Sequence, residues 1–486
     1  MCGQAQLGGE RVAKVQKSGF PRHKRKLFLG ASNLSSARFT LRDFLSRTPG
    51  AQTVSNFFMS SLPTSASFPA QSSVSNAQAE RAKGVTLTLL NKLTPLHSRK
   101  IGVRLWDGTL FPNEQTRACT IVLKHPGSLR AMFARQDALS VAESYLLDMC
   151  DVEGDWNAMF DFGEEMSRFM AALPLWQKLS LGQMLVKLPR PQLPRPTGWR
   201  ERAKLKGKRG SIERAREAVA YHYNVPTEFY AAFLDPNMAY SCAVYESETQ
   251  LLDGAQIHKF EGICRALKLQ PGQRLLDVGC GWGGFLIYAA KNYGVDVTGI
   301  TLSESQAEEA TRRIQEEGLE SSCRVWLKDY RELSEGESFD AIASIEMFEH
   351  VGKELLSTYF SQARHLLKAG GLFFNQGTTV ETDDDKKRYP SFIKQYVFPD
   401  GEIVPVHLSI RASEEAGLEV LNVHSIRPHY ARTCAQWARN LEGMPLELRE
   451  KYGEPIWRIW HLYMAVSGHG FRIGRLNCYQ TLMRRN

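Results

Sequence analysis

Apolar and polar positions change their period several times along this chain, and each change marks a block. Between residues 86 and 132 they alternate as in a strand, most clearly in VRLWDGTLF and ACTIVLKH. Residues 137–173 switch to helical spacing, so 85–180 reads as a small mixed α/β domain. The stretch LPRPQLPRPTGWRERAKLKGKRG (188–210) is too rich in proline, lysine and arginine for a core element, and 181–210 reads as a linker. Beyond it, RLLDVGCGWGGF (274–285) carries an apolar strand, Leu275 and Leu276, into Asp277 and then Gly279, Gly281, Gly283 and Gly284. A helical segment follows, and VDVTGI (295–300) is a second strand ending on Thr301, Leu302 and Ser303. Strand, glycine turn, helix, strand predicts a doubly wound α/β sheet with a ligand at the carboxyl ends of its first strands.

Composition changes this picture in three ways. A chain of 486 residues exceeds one small core, which suggests two domains plus tails. Nine cysteines without paired spacing suggest a reducing compartment, cytoplasmic or organellar, with neither a disulfide framework nor a metal site. No apolar run approaches the roughly 20 residues that span a bilayer, so membrane contact would be peripheral.

The formal charge of +9 resembles a nucleic-acid signal until it is located. Residues 1–84 hold 12 Lys and Arg against Glu10, Asp43 and Glu80, and the remaining chain balances 49 of each sign. The excess is therefore local, and no nucleic-acid partner is implied. The extension is Ser-rich, with Arg38, Arg42 and Arg47 spaced among Phe39, Leu41, Phe44 and Leu45; a transit peptide and a disordered basic tail both fit. The linker's cations fit either anionic headgroups or a solvated tether.

The glycine loop reads DxGCGxG, not the GxGxxG of dinucleotide binders, and the second strand lacks their ribose-binding acid. Both features favour S-adenosylmethionine; tight packing alone is the alternative for such a turn. Around the loop stand AYHYNVPTEFYAAFLDPNMAYSCAVYE (220–246), TLSESQ (301–306), KDYREL (328–333), SIEMFEHVG (344–352), YVFPDGE (396–402), HYARTCAQW (429–437) and HGFRIGRLNCYQ (469–480). In this order they resemble the cyclopropane-fatty-acyl-phospholipid synthase family. WDGT (106–109) and DVEGD (151–155) extend the resemblance to the N-terminal domain of the full-length bacterial type.

The resemblance implies a class I methyltransferase over 211–486: a doubly wound seven-stranded sheet with a helical cap, preceded by the smaller mixed domain. The cap at 211–250 and an insertion at 383–432 would form the substrate tunnel. Tyr240, Ser241, Asp277, Gly279, Gly281, Thr301, Leu302, Gln306, Asp329 and Tyr330 would hold S-adenosylmethionine. The implied reaction adds a methylene or methyl unit to the cis double bond of an unsaturated phospholipid in a membrane, giving a cyclopropane. A homodimer is compatible with the full-length architecture, though no motif specifies one. Because a carbocation arises, the site should be dry and aromatic, with Tyr223, Phe229, Tyr230, Phe233, Tyr245, Phe348 and Tyr396 as candidate liners.

Ring closure needs a base, which in this family is a bicarbonate held by a cysteine-bearing loop, a glutamate, a histidine and a tyrosine. Cys242, Glu349 and Tyr430 match. The histidine does not: GLFFNQGTT puts Gln376 there, which can donate to an anion but carries no charge. Glu346 stands where bacterial members typically have glycine, adding a carboxylate three residues before Glu349. Together these changes weigh against bicarbonate and make Glu346 a candidate base or cation stabiliser, or else a loop-ordering residue. Ser467 replaces a cysteine that some members carry, which favours direct transfer without a covalent intermediate.

Three rivals remain. A hydride shift in the same cation would give a methylene or methyl branch. Alkaloid N-methyltransferases share the core and a similar SIE(L/M)FEH stretch, but lack the N-terminal domain. A noncatalytic lipid-binding protein would be expected to have lost the glycine loop or the Tyr240–Cys242 segment, and both are intact.

Overall fold

A computed structural model describes residues 74–93, 101–112, 117–191, 194–334, 336–381 and 391–486. Residues 1–73, and with them the transit-peptide expectation, lie outside the described residues.

The smaller domain is built on four short strands, β1 (Ile101–Arg104), β2 (Leu110–Phe111), β3 (Cys119–Leu123) and β4 (Cys150–Gly154), in the order β2-β1-β3-β4. Strand β3 shows the expected alternation, its Cys119, Ile121 and Leu123 buried. WDGT and DVEGD both turn out to be architectural. In WDGT, Asp107 accepts from the Thr109 amide at 2.9 Å and closes the β1–β2 turn. In DVEGD, Asp155 accepts from the Asn157 amide at 2.9 Å and starts the helix Trp156–Ala172.

Three expectations fail here. Residues 86–93 are not strand but the end of a helix, Asn76–Leu93, whose Ala82, Thr86, Leu89 and Leu90 are buried. The local alternation VTLTL is overridden by this helical spacing, and the helix crosses the boundary expected at residue 84. Residues 137–173 are not all helical either, because β4 separates the helices Ala138–Leu146 and Trp156–Ala172. The expected linker likewise begins inside a helix, Leu175–Lys187.

The larger sheet runs β11 (Leu418–Ser425), β12 (Leu476–Arg485), β9 (Leu367–Val380), β8 (Phe339–Ile345), β5 (Arg274–Val278), β6 (Asp296–Thr301) and β7 (Cys323–Leu327), with β10 (Val404–Pro405) beside β9. Strands β5 to β9 are parallel, and β12 is antiparallel to both its neighbours. Successive residues feed opposite cores. Leu275, Val297 and Phe374 pack with Phe260 and Phe285, whereas Leu276, Ile300 and Phe373 pack with Tyr359 and Phe360. The strand order reverses between β5 and β8, which opens a crevice at their carboxyl ends. The expected 383–432 insertion is only partly one, because β11 and the helix Val406–Glu415 complete the sheet layer. Among the described residues no helix is long and apolar enough to cross a membrane.

A buried ion cluster joins the domains. Arg458, on the helix Glu454–Arg472, donates to Asp148 at 2.6 Å, Asp151 at 2.9 Å, Glu454 at 2.9 Å and the Tyr145 carbonyl at 3.1 Å. Asp151, the first residue of DVEGD, is thereby held ionised, its carboxyl well below the usual range despite burial.

Candidate active site

At the end of β5 the chain must turn without a side chain. Gly279 has φ +85° and a Cβ there would lie 2.7 Å from Met347 Cβ, while the Gly279 and Cys280 amides both donate to the Ile300 carbonyl at 3.0 Å. Gly284 opens the next helix, and a Cβ on it would meet the Asn237 carbonyl at 2.3 Å. That approach seats the 235–242 loop, itself folded by Asp235 accepting from the Asn237 and Ala239 amides at 2.9 Å. Tyr240 and Ser241 are thus delivered to the crevice.

The resulting cleft has an empty volume of about 1550 Å³. All ten residues expected to hold the cofactor line it: Tyr240, Ser241, Asp277, Gly279, Gly281, Thr301, Leu302, Gln306, Asp329 and Tyr330. Thr301 spends its hydroxyl proton on Gln306 Oε1 at 2.8 Å, which leaves the Gln306 amide nitrogen as the donor. Arg331 binds both oxygens of Asp329, at 2.6 and 2.8 Å, and fixes the carboxylate at the cleft wall. Asp277 Oδ1 is buried without a partner, and burial pushes its carboxyl up to about 7. An orphan carboxylate oxygen beside backbone amides fits a ligand with a cationic amino-acid tail, as S-adenosylmethionine has.

Glu346 enters the same cleft from the end of β8. Its φ is +59°, the left-handed region where glycine is at ease and any other residue is strained by about 1 kcal/mol or more. Three close donors hold its carboxylate, the Cys242 amide at 2.8 Å, Gln376 Nε2 at 2.8 Å and the Tyr430 hydroxyl, and the Cys478 thiol adds a longer contact at 3.7 Å. Four of the expected catalytic residues therefore converge, though Cys242 acts through its backbone; its thiol faces the Ala243 carbonyl at 3.3 Å, and burial pushes it up. The fifth, Glu349, stands apart from the cleft lining, accepting from the Thr378 amide at 2.6 Å, with Oε2 buried and unpartnered. Burial first, and the Glu346 charge second, push Glu349 up to about 8. Burial also raises Glu346, but its three donors oppose the shift. Of two nearby carboxyls the better-donated one is favoured for the charge, which points to Glu346 as the anion and Glu349 as the acid.

Residues 211–481 match the family described as mycolic acid cyclopropane synthetase. The chain is also 35% identical, over 385 residues, to a probable fatty acid methyltransferase of Pseudomonas putida, spanning 78% of this chain and 90% of that one. The chain belongs to the mycolic acid cyclopropane synthetase family. Among solved structures it is similar to the cyclopropane synthase MmaA2 from Mycobacterium tuberculosis, at 31% identity and a TM-score of 0.53 over 55% of this chain and 98% of that one. Mycolic acid cyclopropane synthase CmaA1 complexed with SAH and CTAB matches with the same identity, TM-score and coverage. The protein is thus a cyclopropane-synthase-like, S-adenosylmethionine-dependent methyltransferase.

Within this mycolic acid cyclopropane synthetase family member, the aromatic expectation holds in part. Tyr223 and Tyr240 line the cleft, and Phe229, Tyr230 and Phe233 form an aromatic cluster beside them with Trp282, Trp437 and Trp460. Phe348 packs under the sheet on Tyr359 and Phe360, Tyr245 stacks on His429, and Tyr396 binds Glu143 of the small domain at 2.5 Å. Ser467 lies on the Glu454–Arg472 helix, outside the cleft lining.

Two functional neighbours were not legible in the sequence. Gln480 donates to Gln376 Oε1 at 2.9 Å, which fixes the Gln376 amide with its nitrogen toward Glu346. Lys259 is buried on the helix Leu252–Ala266 and donates to Ser241 Oγ at 2.6 Å. An ammonium only donates, so Ser241 must accept from it and is left to donate its own proton into the cleft. Lys259→Met is therefore expected to weaken S-adenosylhomocysteine binding about tenfold or more, the value of one charge-assisted hydrogen bond. Binding of 5′-methylthioadenosine, which lacks the amino-acid tail, should be unchanged. Calorimetry on both ligands checks this, and an equal loss for both would mean that Lys259 only supports the fold.

Proposed function

We propose that this enzyme adds a one-carbon unit to the cis double bond of an unsaturated phospholipid acyl chain and closes it to a cyclopropane, with Glu346 as the base. S-adenosylmethionine, when bound, supplies an electrophilic methyl group, and transfer to an alkene leaves a carbocation on the acyl chain. The protein's part is to hold the alkene in line, exclude water and face the cation with π surfaces and one carboxylate. Glu346 then takes a proton from the added methyl, and the electron pair of that C–H bond closes the ring.

One observation carries this reading: the Glu346 carboxylate at the cleft wall, in a strained backbone, bound by the Cys242 amide, Gln376 and Tyr430. Cys242 and Tyr430 are two of the groups the resemblance gives to bicarbonate, and Gln376 stands at the histidine position; on this reading the Glu346 side chain takes the place of the exchangeable anion. The reaction should then need no added bicarbonate. The Pseudomonas putida relative, a probable fatty acid methyltransferase, favours a second reading in which the cation is branched by a hydride shift.

The test incubates the full-length protein with S-adenosylmethionine and vesicles of cis-monounsaturated phospholipid, in bicarbonate-depleted buffer, and analyses the released fatty acids. A one-methylene mass gain with high-field ring protons is expected. The same gain with terminal-alkene protons would replace ring closure by branching, and turnover of a small amine without lipid would overturn both.

A further inference from the structure

The helix Leu175–Lys187, LWQKLSLGQMLVK, lies on the small domain with Leu181 as its only buried residue. Leu175 is 48% exposed, Trp176 67% and Val186 62%. Trp176 is the one exposed aromatic side chain among the described residues. Ala171, Ala172 and Pro174 are exposed too, so the apolar surface continues around the corner into the preceding helix. Surface hydrophobics scattered singly need no explanation, but this grouping on one short helix does.

Its charge is equally one-sided. Residues 166–200 contain Arg168, Lys178, Lys187, Arg190, Arg195 and Arg200 and no carboxylate. Lys178 Nζ donates to the Ala171 carbonyl at 2.9 Å, which fixes an ammonium at the corner from which Leu175 and Trp176 project. Arg195 pairs with Glu201 and Arg200 lies over Tyr221. Tryptophan and leucine beside Lys178, Lys187 and Arg190 match the boundary of an anionic bilayer, where an indole sits at headgroup level and ammonium groups reach phosphate. A second copy of the chain would bring the same positive charge against itself.

We propose that the helix Leu175–Lys187 docks this enzyme on an anionic lipid surface, with Leu175 and Trp176 entering the headgroup layer and Lys178, Lys187 and Arg190 facing lipid phosphates. The proposal rests on the reading of the substrate as membrane phospholipid. Docking would keep the enzyme beside its substrate between turnovers.

The experiment sediments the full-length protein with vesicles of phosphatidylcholine, with and without phosphatidylglycerol, at low and high salt. The protein is expected to bind the phosphatidylglycerol vesicles in a salt-sensitive way. A Leu175→Ser, Trp176→Ser double variant should lose that binding at least about tenfold while retaining its affinity for S-adenosylhomocysteine and its unfolding temperature. Lys178→Glu with Lys187→Glu is the second variant, with the same expectation through charge alone. Wild-type protein that stays in the supernatant, variants that bind as wild type does, or variants that instead convert a dimer to monomers would each overturn the docking surface. Vesicle binding without any lipid product would sink the substrate reading and leave the docking surface standing.

Discussion

Glu346→Gly is expected to lower turnover by about two to four orders of magnitude, the usual contribution of a positioned base, with little loss of stability. Opposing terms meet at this residue. The substitution relieves a left-handed backbone at φ +59°, which glycine adopts without cost. It also strips an acceptor from the Cys242 amide, Gln376 Nε2 and the Tyr430 hydroxyl, which lie behind the cleft wall, but Glu346 itself borders the cleft, so water can enter the space it vacates. The hole left behind is carboxylate-shaped and lined with donors, so added formate or bicarbonate should restore part of the rate. Glu346→Gln is expected to be worse than glycine at rescue, because an amide fills the hole and turns one of its own donors toward these donors. With the base absent the cation has time to rearrange, so the residual product should shift from ring to branch. Steady-state rates with and without formate, together with product NMR, measure all of this. An unchanged rate and product in Glu346→Gly would reduce the residue to a loop-ordering role.

That the residues proposed to hold the cofactor share one cleft was legible because the parts are local. A strand, four glycines and the Thr301–Gln306 and Asp329–Tyr330 segments each sit at one strand end, and the doubly wound topology brings strand ends together without further information. The catalytic half was legible only as a list. That Gln376 and Glu346 touch depends on β8 and β9 being neighbours in register, Ile345 beside Gln376, which a doubly wound pattern permits but does not dictate. That Cys242 contributes its amide, not its thiol, follows from the turn at Asp235. Lys259 lies in the sequence HKFEGICRA, where a lysine reads as solvent-facing; only the packing of that helix on β5 and the 235–242 loop buries it. Aromatic spacing could not separate Tyr223, at the cleft, from Phe348, under the sheet, because the two faces of a buried strand layer are equally apolar. In the small domain, VTLTL carried a period of two inside a longer helical period, and the strand CDVEG was too polar and too short to stand out between helices.

Glu349→Gln should change the stability of the enzyme with pH more than its rate at neutral pH. In the folded protein the Glu349 carboxyl is raised to about 8 by burial and by Glu346, whereas in the unfolded chain it titrates near 4.5. Between those values the folded state holds a proton that the unfolded state has lost. Stability therefore falls as pH rises through that window, at up to about 1.4 kcal/mol per pH unit for this one group. Glutamine has no proton to lose, so the difference between wild type and variant should grow, in favour of the variant, to the order of several kcal/mol at pH 8. Comparison of the two proteins by denaturant unfolding at pH 5, 6.5 and 8 isolates Glu349 from Asp277, which burial also raises and which both retain. Because glutamine copies the shape of the neutral acid and can still accept from the Thr378 amide, turnover at pH 7 should stay within about tenfold of wild type. A variant that binds S-adenosylhomocysteine normally yet is inactive at every pH would show that Glu349 works as a carboxylate or passes a proton. The single negative charge of the site would then have to be shared between Glu349 and Glu346, and the assignment of the base to Glu346 alone would fall.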